Sequence, residues 1–411
     1  MKLSTFFLAT VLLFSAIGLL AQNWNQKSDF PGSPRMQGIA FSIANNGYYG
    51  MGRGDAGFLQ DIWKYTPQTD TWEQVASFPG VGRTGAAVAV INGKAYVGLG
   101  FANNTFYDDW YEYNPLSNTW TKKSSCINGG RSFCAYWGFD NVSGGAAFVM
   151  MGSKLNNEST SEKLKYVVSS DTWEEVSSTI PNPLAYPLYN TVSFKWNGKG
   201  YFTSGKNAST IYSSFIEFDP LASNGKYWKT KASNVDMGYN GTAFATGTKA
   251  YACYGDTRNV IVYDSVSNKT TKVVNPLGYS DPLIAPSSFV VNSVGYFLGG
   301  RLGTFGGYQN KVWSIGTTSA SSNLEVAVLD CAVFPNPVTD FVQISINAET
   351  YQMISIQILD MTGNLILEHL GKVLPGTNSI DVDVNQLKSG SYIIGIQAGN
   401  QKSIKHIQII R

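Results

Sequence analysis

Five tryptophans set the frame of this chain. Trp24, Trp72, Trp120, Trp173 and Trp228 are separated by 48, 48, 53 and 55 residues, and one pattern of apolar runs and turns recurs between them. An apolar run from Gly85 to Val90 meets a turn at Asn92-Gly93-Lys94 and returns as Ala95-Tyr96-Val97-Gly98-Leu99-Gly100. A loop leads to Asp109-Trp110-Tyr111-Glu112-Tyr113-Asn114-Pro115, and Asn118-Thr119-Trp120 closes the unit. The returning run has counterparts ending at Gly52, Gly152, Gly205, Gly255 and Gly300. Self-similarity at a period near fifty points to equivalent units stacked on one another, each unable to bury its apolar faces alone.

Each unit reads as four short strands, with glycine or a glycine pair closing the second. This resembles the kelch repeat, whose units are propeller blades, over about residues 22 to 316. The resemblance implies radial repetition, which removes long exposed sheet edges. Six second strands predict six blades. The sixth has no tryptophan-bearing fourth strand after Trp313, while Trp24 lies in a fourth strand with no blade before it. The N-terminal strand is therefore expected to complete blade six and close the ring. The expected fold is all-β: a six-bladed kelch-type propeller followed by a small Ig-like β-sandwich.

The N-terminus carries Lys2, an apolar run from Phe6 to Leu20, and Ala21 before polar Gln22. This reads as a secretory signal over residues 1–21. The run is shorter than the ~20 residues of a spanning helix, and no transmembrane segment is expected once it is removed. No cysteine follows it, which argues against a lipid anchor.

Residues 317–331 are expected to be a linker, small and polar through Thr317-Thr318-Ser319-Ala320-Ser321-Ser322-Asn323. Beyond it, Val342, Ile344 and Ile346, then Ile354, Ile356 and Ile358, then Ile380, Val382 and Val384 alternate with mostly polar neighbours. That period of two marks half-buried antiparallel strands. Phe334-Pro335-Asn336-Pro337, Asp360-Met361-Thr362-Gly363 and Leu387-Lys388-Ser389-Gly390-Ser391-Tyr392 occur in order across residues 332–411. Together they resemble the type A C-terminal (Por) sorting domain of the type IX secretion system, with Pro335, Asn336, Pro337, Gly363, Gly390 and Tyr392 as its motif positions. The resemblance implies type IX machinery as a partner and passage through the periplasm of a Gram-negative bacterium. It also implies release or attachment at the outer surface, and removal of the domain during transport.

Composition narrows the chemistry. With 30 Lys+Arg against 28 Asp+Glu the net charge is +2, so no basic face for nucleic acid is expected. Both histidines, His369 and His406, lie in the C-terminal domain. The propeller therefore has no histidine for a copper or zinc site or a Ser-His-Asp nucleophile, and neither metal nor cofactor is expected. Carboxylate catalysis stays open through Asp55, Asp108, Asp109 and Asp256, but no pair stands out and the catalytic residues are unknown. Asp61 and Asp109, entering third strands, read as structural. Of four cysteines, Cys126 and Cys134 flank Asn128-Gly129-Gly130 and are a disulfide candidate, while Cys253 reads as a buried thiol.

The propeller has six arginines. Arg35, Arg83 and Arg131 precede first strands, and Arg53, Arg258 and Arg301 follow second strands. In an antiparallel blade both positions open on one face, whereas Lys94, Lys199 and Lys249 sit in turns on the other. Two readings of this arginine-bearing face stand. The side chains brace neighbouring blades, or their planar forks recognise a carboxylate or phosphate. Phe101, Tyr107 and Tyr308 share those loops, suited to stacking on sugars or peptide side chains. The favoured function is a protein- or glycan-binding module at the cell surface or outside the cell, more binder than enzyme. One alternative is an enzyme on an acidic sugar, by architectural resemblance to bacterial sialic acid mutarotases. The other is a structural surface spacer.

Overall fold

Tyrosine, tryptophan and Asx residues recur because the first three blades use them to clip the chain arriving from the blade before. The computed structural model describes residues 24–154, 158–176, 188–207, 210–222, 227–233, 240–315, 329, 331–348, 352–360, 365–398 and 401–411. The signal segment 1–21 and most of the linker 317–331 lie outside them. Contacts divide the chain into two units, Met1–Thr318 and Ser319–Arg411, and all regular structure among the described residues is β.

The first unit contains six four-stranded antiparallel sheets among the described residues. Blade one runs Ile39–Ile43, Asn46–Gly50, Ile62–Thr66 and Thr71–Val75, and blade two Ala87–Ile91, Lys94–Gly98, Trp110–Asn114 and Thr119–Lys123. Blades three, four and five begin with Ala135–Phe139, Val192–Trp196 and Thr242–Thr246. The last begins with Ser287–Val291 and takes Asn25–Lys27 as its outer strand, in the register Asn25↔Ser314, Gln26↔Trp313 and Lys27↔Val312. Each first strand packs beside the next blade's first strand, and Ser287–Val291 returns to Ile39–Ile43, so the sheets form a closed ring. This is a β-propeller.

The clip is the same at each junction observed. Trp120 donates its indole N–H to Ala76 O at 2.9 Å, and Asn118 Oδ1 accepts the Ala76 N–H at 2.8 Å. Trp173 and Asp171 hold Ser124 likewise, at 2.9 and 3.0 Å. Trp72 and Asp70 hold Ser28, the residue just after the N-terminal strand, at 3.3 and 3.1 Å. The closing strand is thus fastened like any internal one. Asp70, Asn118 and Asp171 all have φ near +53°, a left-handed conformation that short Asx side chains tolerate. Each also accepts a hydrogen bond from a third-strand tyrosine, Tyr65, Tyr113 and Tyr166.

Gly100 shows why glycine ends second strands. Its N–H donates to Arg131 O of the next blade at 2.7 Å, and at φ +100° a Cβ would lie 2.8 Å from Thr84 O. Between blades the core is largely aromatic. Phe41, Tyr48, Val88, Val97 and Tyr113 pack blade one on blade two, and Tyr49, Tyr65, Phe289 and Tyr296 pack it on the last.

The second unit is a β-sandwich. One sheet orders Cys331–Phe334, Phe341–Ala348 and Gly376–Asp383; the other orders Leu365–Val373, Gln352–Leu359, Gly390–Ala398 and Gln401–Ile409. Val342, Ile344, Ile346, Ile354, Ile356, Ile358, Val382 and Val384 meet in one core, with Ile380 partly buried against it. Among the described residues, no helix is long and apolar enough to cross a membrane.

Candidate functional site

On the propeller, the loops entering first strands and leaving second strands lie together. Met36 bridges Arg53, Thr84 bridges Phe101, Ser132 bridges Ser153 and Tyr189 bridges Lys206, while Ile284 pairs with Arg301. The arginines expected on this face divide into two groups.

Arg35, Arg83 and Arg131 are 0% exposed. Arg35 makes two hydrogen bonds to Asp61, at 2.6 and 2.7 Å, and two more to Ser33 O and Met51 O at 2.8 and 3.1 Å. Arg83 repeats this with Asp109, Val81 O and Leu99 O. Arg131 bonds Glu162, which also accepts from Lys154 at 2.8 Å. Each pair joins the loop before a blade's first strand to the start of its third. The ligand-binding expectation is therefore corrected for these three. Their forks are turned inward onto the protein's own carboxylates, and Asp61 and Asp109 are their counter-ions. The signal was in the sequence: Arg and Asp stand 26 apart in both of the first two units.

Asp61 gives this arrangement a pH signature. Burial raises its pKa, but hydrogen bonds and charge from Arg35, with the Trp63 indole N–H, hold it below its ordinary 3.8. A depressed carboxylate stabilises the fold above its unfolded pKa and loses that contribution as pH falls through the folded value. Wild type is expected to exceed Asp61→Asn in denaturant midpoint by a constant margin from pH 7 to 5. The margin should narrow below 3.8; one that is unchanged at pH 3 would refute the pairing.

Arg53, Arg258 and Arg301 remain on the surface. Arg53 is exposed with its guanidinium carbon 5.6 Å from the Phe58 ring centre, and Arg301 is half-buried, 5.9 Å from Tyr308. Lys206, at the equivalent place in blade four, lies 5.5 Å from Tyr189. Three cations set over rings thus share one repeat position. Arg258 is exposed and donates to Ser280 O at 3.0 Å. Phe101 packs on Phe106 with tilted rings 4.8 Å apart, and Tyr107 covers the Arg83 guanidinium at 3.9 Å.

A channel of about 460 Å³ runs along the first strands and opens on this face. All six of the propeller's four-stranded sheets line it, through residues such as Ala40, Val88, Tyr136, Ser193, Ala245 and Ser288. None of the six arginines is in its wall. Its charged residues are Asp140 and Lys195, 3.8 Å apart towards the far end.

The disulfide expectation is also corrected. Cys126 and Cys134 are free and buried in a core with Trp110 and Tyr166. Burial pushes both thiols up to about 12, the state of inert core cysteines. Among the described residues no three His, Cys, Asp or Glu side chains gather as metal ligands.

In the C-terminal unit the motif residues converge on the last strand. Asn336 donates to His406 O at 2.9 Å and accepts from Gln408 N at 2.8 Å, with exposed Pro335 and Pro337 on either side. Gly390 pairs with Ile409, and Tyr392 donates to Lys388 O at 3.0 Å. The Arg411 guanidinium bonds Leu387 O, Thr339 O and Val384 O. Gly363 lies outside the described residues. Residues 332–410 match the family described as secretion system C-terminal sorting domain. The C-terminal unit is a sorting domain. A protein carrying it leaves by type IX secretion for the cell surface or the exterior. Asn336 and Arg411 tie the motif segments to the sorting domain's final strand, so the motif residues hold this sandwich together.

Among solved structures the chain is similar to that of YjhT, a kelch-type propeller, at 18% identity and a TM-score of 0.60. The match covers 72% of this chain and 98% of that one, and it shows the fold. No curated protein matches the chain.

Proposed function

We propose that this protein is an exported binding module: a six-bladed propeller delivered by its sorting domain, recognising a glycan or protein through the face onto which the channel opens. The signal over residues 1–21 and the sorting domain after the 317–331 linker would both be removed on the way. The observation that carries the reading is the convergence on one face of the channel mouth and the cation-over-ring positions Arg53, Lys206 and Arg301. Cations and aromatics beside a concavity supply the oriented polar contacts and flat apolar area that glycan and protein partners need. A rigid spacer needs no such face. The acidic-sugar enzyme suggested by likeness to mutarotases loses three of its six candidate carboxylate contacts, because Arg35, Arg83 and Arg131 are paired with internal carboxylates. The test is an array of glycans and surface proteins probed with the exported protein. Reproducible capture by one class supports the reading, and a blank on both counts against it.

A further inference from the structure

The mouth of the channel is built from one residue per blade, each held in the left-handed region just before its first strand. These are Gln37, Gly85, Phe133, Asn190, Asn240 and Ala285, with φ between +52° and +60°. Five of the six backbones are hydrogen-bonded to a neighbour in the set. Gln37 N donates to Ala285 O at 2.9 Å, Ala285 N to Asn240 O at 2.7 Å, and Phe133 N to Gly85 O at 3.0 Å. Backbones tied in this way fix where the Gln37 and Asn240 side chains start.

Three members, Gln37, Asn190 and Asn240, carry primary amides. All three are half-buried in the channel wall, and none hydrogen-bonds through its side chain to another described residue. Beside Asn190, the Thr191 hydroxyl is shielded from solvent and has no partner among the described residues. Three hydroxyls further along the wall are engaged: Thr242 with Ser288 at 2.6 Å, and Ser193 with the Tyr136 N–H at 3.3 Å. Three amides and the Thr191 hydroxyl thus leave hydrogen-bonding capacity open at the mouth. The wall below it supplies apolar surface, with Asp140 and Lys195 offsetting each other's charge.

We infer that the channel mouth binds a neutral, hydroxyl-rich end group, a terminal sugar bearing no carboxylate, phosphate or sulfate. An amide offers an acceptor and two donors at once, which suits vicinal hydroxyls that both give and accept. The wall presents no guanidinium to an anion, and taking an unpaired charge out of water would be costly there. A volume of about 460 Å³ lies within the ~300–1,000 Å³ range of small-molecule sites. This rests on the proposal that the opening face is the binding face, and it names what the centre of that face selects.

The experiment is saturation-transfer NMR and calorimetry on the full chain with methyl glycosides of the neutral hexoses and N-acetylhexosamines, and with glucuronic and sialic acids. Asn190→Asp/Asn240→Asp keeps residues that tolerate positive φ while removing four amide donors. Neutral glycosides are expected to bind, with at least a tenfold loss in that variant and an unchanged melting temperature. Lys249→Ala, on the opposite face and outside the channel wall, should retain binding within twofold. Preference for the acids, or equal affinity in the amide variant, would overturn the inference. So would no glycoside binding by a protein that still captures an array probe through Arg53 and Arg301, an outcome that leaves the binding face intact. Silence in both assays would remove the binding face as well.

Discussion

Cells producing the chain without residues 332–411 are expected to retain the propeller inside the envelope, while the full chain reaches the surface or the medium. The propeller forms a unit with its own cores between blades, separate from the sandwich core around Ile344 and Ile356. The truncation should therefore fold and remain soluble, isolating the sorting step from stability. Cell fractionation and protease treatment of intact cells read the result. The reciprocal fusion of residues 329–411 to an unrelated signal-bearing protein should gain surface exposure. Since Asn336 and Arg411 hold the last strand, Asn336→Ala is expected to lower export in proportion to the destabilised sandwich. Undiminished export of the truncation would overturn the assignment.

Arg83→Ala should be among the most damaging single changes in the propeller. Arg83 is 0% exposed and Asp109 17%, so removing the guanidinium strands a carboxylate and leaves the Val81 and Leu99 carbonyls short of a donor. Breaking a buried pair from one side costs about 3–5 kcal/mol, and Asp109's partial exposure favours the lower end. At that size a loss of about 3 kcal/mol moves the melting temperature by roughly 5–10 °C. Arg53→Ala, on the surface, should fall within about 0.5 kcal/mol of wild type. The double change Arg83→Met/Asp109→Leu should recover much of the loss, because no charge is left unpaired. A stable Arg83→Ala protein would contradict the bracing role.

The repeat was legible because its landmarks are demanded by backbone geometry. Trp120, Asn118 and Gly100 each satisfy a main-chain group of a neighbouring segment, so the same residue types return in each blade that makes the junction. The common face of the six arginines was legible for the same reason, as strand order dictates it. Burial was not. Position before a first strand does not reveal that Arg35 turns inward to Asp61 while Arg53, bridged to Met36, stays outside. The Arg–Asp spacing of 26 held that information, but only as a pair. The mouth residues Gln37, Asn190 and Asn240 escaped notice because the six equivalent positions differ in type; their shared property is a left-handed φ. Cys126 and Cys134 misled because closeness in sequence suggested a bridge, whereas both thiols pack into the core with Trp110 and Tyr166.

The binding face is the central claim, and opposing charge reversals test it most directly. The exported protein, Arg53→Glu/Arg301→Glu on the opening face, and Lys94→Glu/Lys249→Glu on the opposite face are applied to the same glycan and surface-protein arrays. The account predicts that the opening-face variant loses capture of whatever probe the wild type binds, at an unchanged melting temperature, while the opposite-face variant binds normally. Capture that survives on the opening face and fails on the other would contradict it.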